Sequence, residues 1–312
     1  MRSLDPDVEK LVAFVAGTSA APMESLSPEE ARASFAQMRD ALFPECPPIA
    51  IESILSEDGV PIRLYRPLDR VEETLPTLIY LHGGGWVLGS VDLYDSFCST
   101  LANEAGICLA SVDYRLAPEA PFPAAFEDGL GATRWLHAHS RNLRVDPDHM
   151  AIGGDSAGAA LAASVALAVR DSDGPTLSGL IMLYPVTDLV AEAPSYVDNA
   201  SGYVLTAAAM RWFRDHYLLQ RGDALDWRAS PLRAASFADL PPTYVLTCGF
   251  DPLRDEGIAF ALALEAARVP VTHRHLADQV HGFLMWGKAV PAANRILREV
   301  ARSIRPLLRL PV

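Results

Sequence analysis

The chain has 312 residues, half of them hydrophobic, with 26 basic against 39 acidic side chains and a formal charge of −13. That length can bury a large core, and the acid excess argues against a surface that tracks nucleic-acid phosphates. Cys46, Cys98, Cys108 and Cys248 show no metal-ligand or redox spacing, and Asp5, Asp7, Glu9 and Lys10 interrupt the start where a secretory signal would be apolar. Free thiols in the cytoplasm are therefore the expectation.

In chain order, residues 1–45 predict two amphipathic helices, the second opened by Ser27-Pro28-Glu29-Glu30, an N-cap followed by proline and acid. From residue 49 the pattern changes. Strands are predicted at 49–55 and 62–66, joined by the turn Glu57-Asp58-Gly59 as an antiparallel hairpin. Further strands fall at 77–81, 107–112, 149–153, 180–184, 243–248 and 271–276, with helices at 93–105, 124–140, 157–170, 253–267 and 289–307. This alternation predicts an α/β fold with a mostly parallel eight-stranded sheet covered by helices on both faces. The small-residue stretch 157–169 is too short to span a bilayer, so no stable membrane insertion is expected.

Residues 191–225 form a long excursion between two strands, with a helix at 207–219 rich in Met210, Trp212, Phe213 and Tyr217. An insertion of that length is more often a lid than a connector. The expected division is a catalytic core of residues 46–190 and 226–312, with 1–45 and 191–225 forming a helical cap.

Gly154-Asp155-Ser156-Ala157-Gly158 sits where a strand becomes a helix. In the pattern G-x-S-x-G the glycines allow a turn so sharp that the serine hydroxyl stands at the strand's C-terminal end, beside helix N–H groups that favour negative charge. His82-Gly83-Gly84-Gly85-Trp86 follows another strand. Consecutive glycines there let backbone N–H groups converge on one point, as an oxyanion hole requires. A serine nucleophile needs a neutral imidazole to take its proton and an acceptor to orient that imidazole. His281, just after the last strand, fits the base, and Asp251, just beyond the strand 243–248, fits the acid. Asp255 and Glu256 are accounted for by a helix N-terminus, Asp278 is read as part of the His281 loop, and His82 as a buried support of the glycine loop. Both lysines, Lys10 and Lys288, lie in polar surroundings, so lysine-based covalent chemistry is not expected.

Together with Asp113-Tyr114-Arg115-Leu116-Ala117-Pro118-Glu119, Asp251-Pro252-Leu253-Arg254-Asp255 and His281-Gly282-Phe283, these motifs resemble the hormone-sensitive-lipase-like carboxylesterases of the α/β hydrolase fold over nearly the whole chain. One departure is Ala159, where that branch usually carries a further glycine. The resemblance implies Ser156, Asp251 and His281 as the triad and the N–H groups of Gly84, Gly85 and Ala157 as oxyanion donors. It also implies hydrolysis of short- to medium-chain esters without metal or organic cofactor, and dimers. Trp86, Leu205, Trp212, Phe213 and Phe283 are candidate substrate contacts. A non-catalytic binding protein on the same scaffold would lack a working base, which His281 argues against; lipase, amidase, lactone or epoxide chemistry would share the scaffold.

Overall fold

The structure, a computed structural model, describes residues 3–17, 21–172 and 174–310. Positions 1, 2 and 18–20 of the expected N-terminal cap segment lie outside the described residues. In chain order the strands are β1 (Ala50–Leu55), β2 (Pro61–Arg66), β3 (Leu75–Leu81), β4 (Cys108–Val112), β5 (Val145–Asp155), β6 (Gly179–Leu183), β7 (Thr243–Phe250) and β8 (Val271–Val280). The α-helices are α1 (Pro6–Gly17), α2 (Pro28–Leu42), α3 (Val91–Ala105), α4 (Ala124–Ala138), α5 (Ala157–Arg170), α6 (Ser195–Asp198), α7 (Ala207–Tyr217), α8 (Arg254–Ala266) and α9 (Pro291–Ile304).

The strands form one sheet in the order β1-β2-β4-β3-β5-β6-β7-β8. β1 and β2 pair antiparallel, as do β2 and β4, and every later pairing is parallel. β4, β6 and β7 are buried along their whole length, which is why they read as unbroken apolar runs. Alternate side chains serve opposite faces: Leu78, Tyr80, Leu109, Ile181 and Leu246 meet α3 and α9, whereas Ile79, Leu81, Ala110, Ile152 and Val245 meet α4, α5 and α8. α9 buries Ala293, Ile296, Leu297, Val300, Ala301 and Ile304, one stripe at helical spacing.

Two strands extend by four residues or more beyond an expected end. β5 starts at Val145 because Leu75 and Val145 already pair below the register shift at Leu75/Thr77. β8 runs to Val280 because Phe250 pairs with Val280 after an irregularity at Cys248/Phe250. Asp278 is therefore a strand residue whose carbonyl accepts from Asp5 N–H, rather than part of the His281 loop.

The Ser27 signal forms a full capping box: Ser27 Oγ accepts from Glu30 N–H at 3.2 Å, and Glu30 Oε2 accepts from Ser27 N–H at 2.8 Å. From α2, Arg32 donates to the carbonyls of Val87 and Ala117 and to both oxygens of Glu119, fastening this helix to the segment after the glycine loop. The turn Met23–Ser25 lies against α7.

α5 packs unusually close to β3 because glycine stands at the point of approach. A Cβ at Gly158 would lie 1.9 Å from the Leu81 carbonyl oxygen, and one at Gly154 would lie 2.4 Å from the Gly158 carbonyl carbon. Gly158→Ala must force the helix off the strand, at a cost of about 3 kcal/mol, the upper end for overpacking. Thermal unfolding should show a clear drop in midpoint; an unchanged midpoint would contradict the close approach.

Candidate active site

The C-terminal ends of β3, β5, β7 and β8 carry, respectively, the glycine loop, Ser156, Asp251 and His281. Ligands in open α/β sheets bind at this edge. Ser156 has φ 54° and ψ −120°, a conformation L-residues avoid. The neighbouring strand's extension holds it there: Ser156 N–H donates to the Leu183 carbonyl at 2.9 Å, and Val186 N–H donates to the Ser156 carbonyl at 3.3 Å.

His281 Nε2 lies 2.8 Å from Ser156 Oγ, and His281 Nδ1 lies 2.7 Å from Asp251 Oδ2. Asp251 Oδ1 also accepts from Leu253 N–H at 2.8 Å. With the acid on Nδ1, the nitrogen facing the serine is the one left free to accept a proton. Asp251 is 1% exposed, Ser156 8% and His281 9%, so the carboxylate is sealed while the serine and the imidazole keep a narrow opening to solvent.

Gly84 (φ +116°) and Gly85 (φ +60°) adopt backbone conformations costly for other residues. Their N–H groups and that of Ala157 make no hydrogen bond among the described residues, leaving three donors free near the serine turn. The loop is stiff all the same. Gly84 carbonyl accepts from Val87 and Leu88 N–H, while buried His82 makes a 2.8 Å contact from Nδ1 to the Gly83 carbonyl and stacks on Tyr114 at 4.3 Å. Burial pushes the His82 pKa down, so the ring is neutral and donates from Nδ1.

Asp155 is the residue that sequence reasoning missed. Its Oδ1 accepts from Gly83 N–H and Tyr80 OH, each at 2.9 Å, and its Oδ2 accepts from Tyr94 OH at 2.9 Å. One buried carboxylate thus joins the Ser156 turn to the glycine loop. Desolvation raises its pKa to about 6, and the hydrogen bonds from Tyr94, Tyr80 and Gly83 hold it from going higher. A signal was present in part: an aspartate within an otherwise small-residue turn calls for donors, and Tyr80, at the end of the neighbouring strand, supplies one.

The candidate substrate contacts fall in different places. Phe213 lies on the glycine loop, since a Cβ at Gly85 would meet its ring at 2.2 Å. Trp86 is buried and stacked on Tyr217 of α7, with centroids 4.2 Å apart and planes at 5°. Trp212 packs beside Phe213 and His216, Phe283 is buried near Tyr184, and half-buried Leu205 packs against the core. Tyr184 is a further missed residue: its φ is 37° and its ring stands 4.9 Å from that of His281. Among the described residues, no group of three or more His, Cys, Asp and Glu side chains is disposed to hold a metal ion, and no helix is long and apolar enough to cross a membrane.

Residues 78–285 match the α/β hydrolase fold family. The chain is 37% identical to ethyl acetate hydrolase of Pseudomonas putida over 97% of this chain and 99% of that protein. It is 40% identical to esterase LipI of Mycobacterium tuberculosis over 75% of this chain and 73% of that one. The solved structure of a thermostable esterase from Pseudomonas putida ECU1011 superposes with a TM-score of 0.95 at 31% identity, covering 100% of this chain and 99% of that one. The chain belongs to the α/β hydrolase family, in its hormone-sensitive-lipase-like branch. It is a carboxylic ester hydrolase.

The raised Asp155 pKa fixes a sign. Between the ordinary carboxyl value near 3.9 and about 6, the folded protein keeps a proton that the unfolded chain has released. The contribution is complete below the lower value and is lost as pH rises through the upper one. Measured as parent minus Asp155→Asn in urea unfolding at each pH, stability should fall by up to about 3 kcal/mol across this window. A difference that grows with pH would mean that the three hydrogen bonds outweigh desolvation.

Proposed function

We propose that the protein hydrolyses short- to medium-chain carboxylic esters through an acyl-enzyme, with Ser156 as nucleophile, His281 as general base and acid, and Asp251 as the residue that orients and charge-balances the imidazole. The observation that carries this reading is the continuous contact from Asp251 Oδ2 through His281 to Ser156 Oγ, at 2.7 and 2.8 Å.

In the first half-reaction Ser156 Oγ attacks the ester carbonyl carbon and its proton passes to His281 Nε2. The carbonyl oxygen takes the negative charge and is met by the N–H groups of Gly84, Gly85 and Ala157, with the α5 dipole behind them. Collapse breaks the ester C–O bond, and the leaving alkoxide takes the proton from His281 Nε2. Water then enters: His281 accepts its proton, hydroxide adds to the acyl carbon, and the acid departs as Ser156 recovers its hydrogen. Asp155 keeps the glycine loop in register with the serine throughout.

Residues 1–45 and 191–225 act as a cap over this site, with Phe213 bounding the acyl slot. Its ring against Gly85 supports that role. Trp86, packed flat on Tyr217, contributes by holding α7 to the loop rather than by touching substrate. That a relative is named for ethyl acetate hydrolysis supports a preference for small esters. The working form is a homodimer, as the family resemblance implies, and the scattered, unpaired cysteines suit the cytoplasm.

Ser156→Ala should cut turnover of a p-nitrophenyl ester by on the order of 10⁴-fold or more while the unfolding midpoint stays within a few degrees. Retention of most of the activity by the folded variant would remove Ser156 from the role. In a chain-length series, each methylene that fits should add roughly 0.8 kcal/mol until the slot is full, after which kcat/KM falls. Phe213→Ala should move that optimum to longer acyl chains. An unchanged profile would make Phe213 a packing residue, and a parent optimum on long-chain emulsified esters would turn the assignment to a lipase.

A further inference from the structure

The excursion between β6 and β7 touches the site twice. Its later part, α7, lies on the glycine loop through Phe213 and Tyr217. Its earlier part, residues 195–203, lies on the loop that carries Asp251, and the contacts there are dense and polar.

Asn199, 3% exposed, donates from Nδ2 to the backbone carbonyl of Asp251 at 2.9 Å and reaches that of Gly249 at 3.5 Å. Ser195, fully buried, donates from Oγ to the Pro252 carbonyl at 2.5 Å and accepts from Asp255 N–H at 3.2 Å. Ser195 N–H donates to Asp255 Oδ2 at 2.8 Å. Arg254, itself nearly buried, spans the junction, binding Asp198 Oδ2 at 2.9 Å and Asp255 Oδ1 at 2.6 Å. The Tyr203 ring packs on Phe250 at 5.1 Å, at the end of β7.

A connector that merely had to cover this loop would do so with apolar side chains, because each buried polar group carries a desolvation cost that only a well-formed hydrogen bond offsets. What the polar contacts add is fixed position. Asp251 itself has few restraints of its own: its carboxylate meets Leu253 N–H and His281, and its carbonyl meets Arg254 N–H at 3.2 Å. Asn199 supplies a side-chain bond from outside the loop to the backbone of that residue.

We infer that residues 195–199 form a clamp that sets the position of the Asp251 carboxylate, with Asn199 as its positioning residue, so that seating of the insertion and alignment of His281 are coupled. This inference rests on the reading of Asp251 as the triad acid. Asn199 touches no reacting atom; it acts through Asp251, and its effect must disappear when Asp251 can no longer orient the imidazole.

That dependence gives the test. Steady-state kinetics on a soluble short-chain p-nitrophenyl ester are measured for the parent, Asn199→Ala, Asp251→Asn, the double variant, and Ser195→Ala alone and with Asp251→Asn, each checked for folding by circular dichroism. Asn199→Ala should lower kcat by about ten- to a hundredfold, the scale of a roughly 1 Å misplacement, with KM within about twofold. In the Asp251→Asn background the same change should cost less than about twofold, since residues acting as one unit are non-additive. An unchanged kcat, or the same loss in both backgrounds, overturns the clamp and leaves Asn199 a plain structural residue. If Asn199→Ala does not fold, Ser195→Ala carries the comparison: a loss of at least about threefold that vanishes with Asp251→Asn supports the clamp, and an additive loss refutes it. Parent-like turnover by Asp251→Asn would instead remove Asp251 from the triad, a separate failure.

Discussion

The approach of α5 to the end of β3 is the constraint on which the site depends. With hydrogen in place of Cβ at Gly154 and Gly158, the first turn of α5 comes within contact of the Leu81 and His82 carbonyls. Two neighbouring parallel strands then end side by side, one in the serine and the other in the glycine loop. A methyl group at either glycine would push the Ser156 turn away from the glycine loop. The chemistry is therefore first a matter of excluded volume.

Close approach alone would leave two glycine-rich turns free to slide, and Asp155 prevents this. Its carboxylate gathers three donors in a buried place where charge is disfavoured, as the elevated pKa records. Losing the group would leave two tyrosine hydroxyls buried without that acceptor, at about 1–3 kcal/mol for each, while Gly83 N–H would keep only its 3.0 Å bond to the Tyr94 hydroxyl. Stability and catalytic geometry thus draw on the same three bonds. The two tyrosines donate reliably because burial pushes their own pKa values well up.

Much of this was legible in the sequence because it depends on local rules. Strand and helix periodicity indicated the eight-stranded sheet, Ser27-Pro28-Glu29-Glu30 marked its helix start, and the glycines of 83–85, 154 and 158 marked the tight turns. His281 and Asp251 followed from chemical need and position at strand ends. What stayed hidden were contacts between residues far apart in the chain: Asp155 with Tyr94, Asn199 with Asp251, Trp86 with Tyr217. No periodicity encodes such pairs. Trp86 illustrates the limit, since a large aromatic beside a glycine loop reads in sequence as a candidate pocket wall, and only the structure shows it 1% exposed with the Tyr217 ring of α7 stacked on it. The β8 extension was missed for a similar reason, because its last residues are held by pairing with β7 across an irregular register.

Strain completes the picture. Of the seven non-glycine residues with positive φ among those described, three surround the site: Ser156 at 54°, Trp86 at 62° and Tyr184 at 37°. Each such conformation costs on the order of 1–3 kcal/mol and persists only where its surroundings over-determine it. Ser156 is held by Leu183 and Val186, Trp86 by the Tyr217 ring and by Ala117 N–H on its carbonyl, and Tyr184 by a 2.6 Å bond from its N–H to the Leu246 carbonyl. These restraints come from β6 and the segment that follows it, from α7, from β7 and from the loop after β4, none of which carries Ser156 or His281. Rigid neighbours therefore absorb the cost of holding the reacting groups in place. The insertion that carries α6 and α7 restrains the glycine loop at one end and the loop that carries Asp251 at the other.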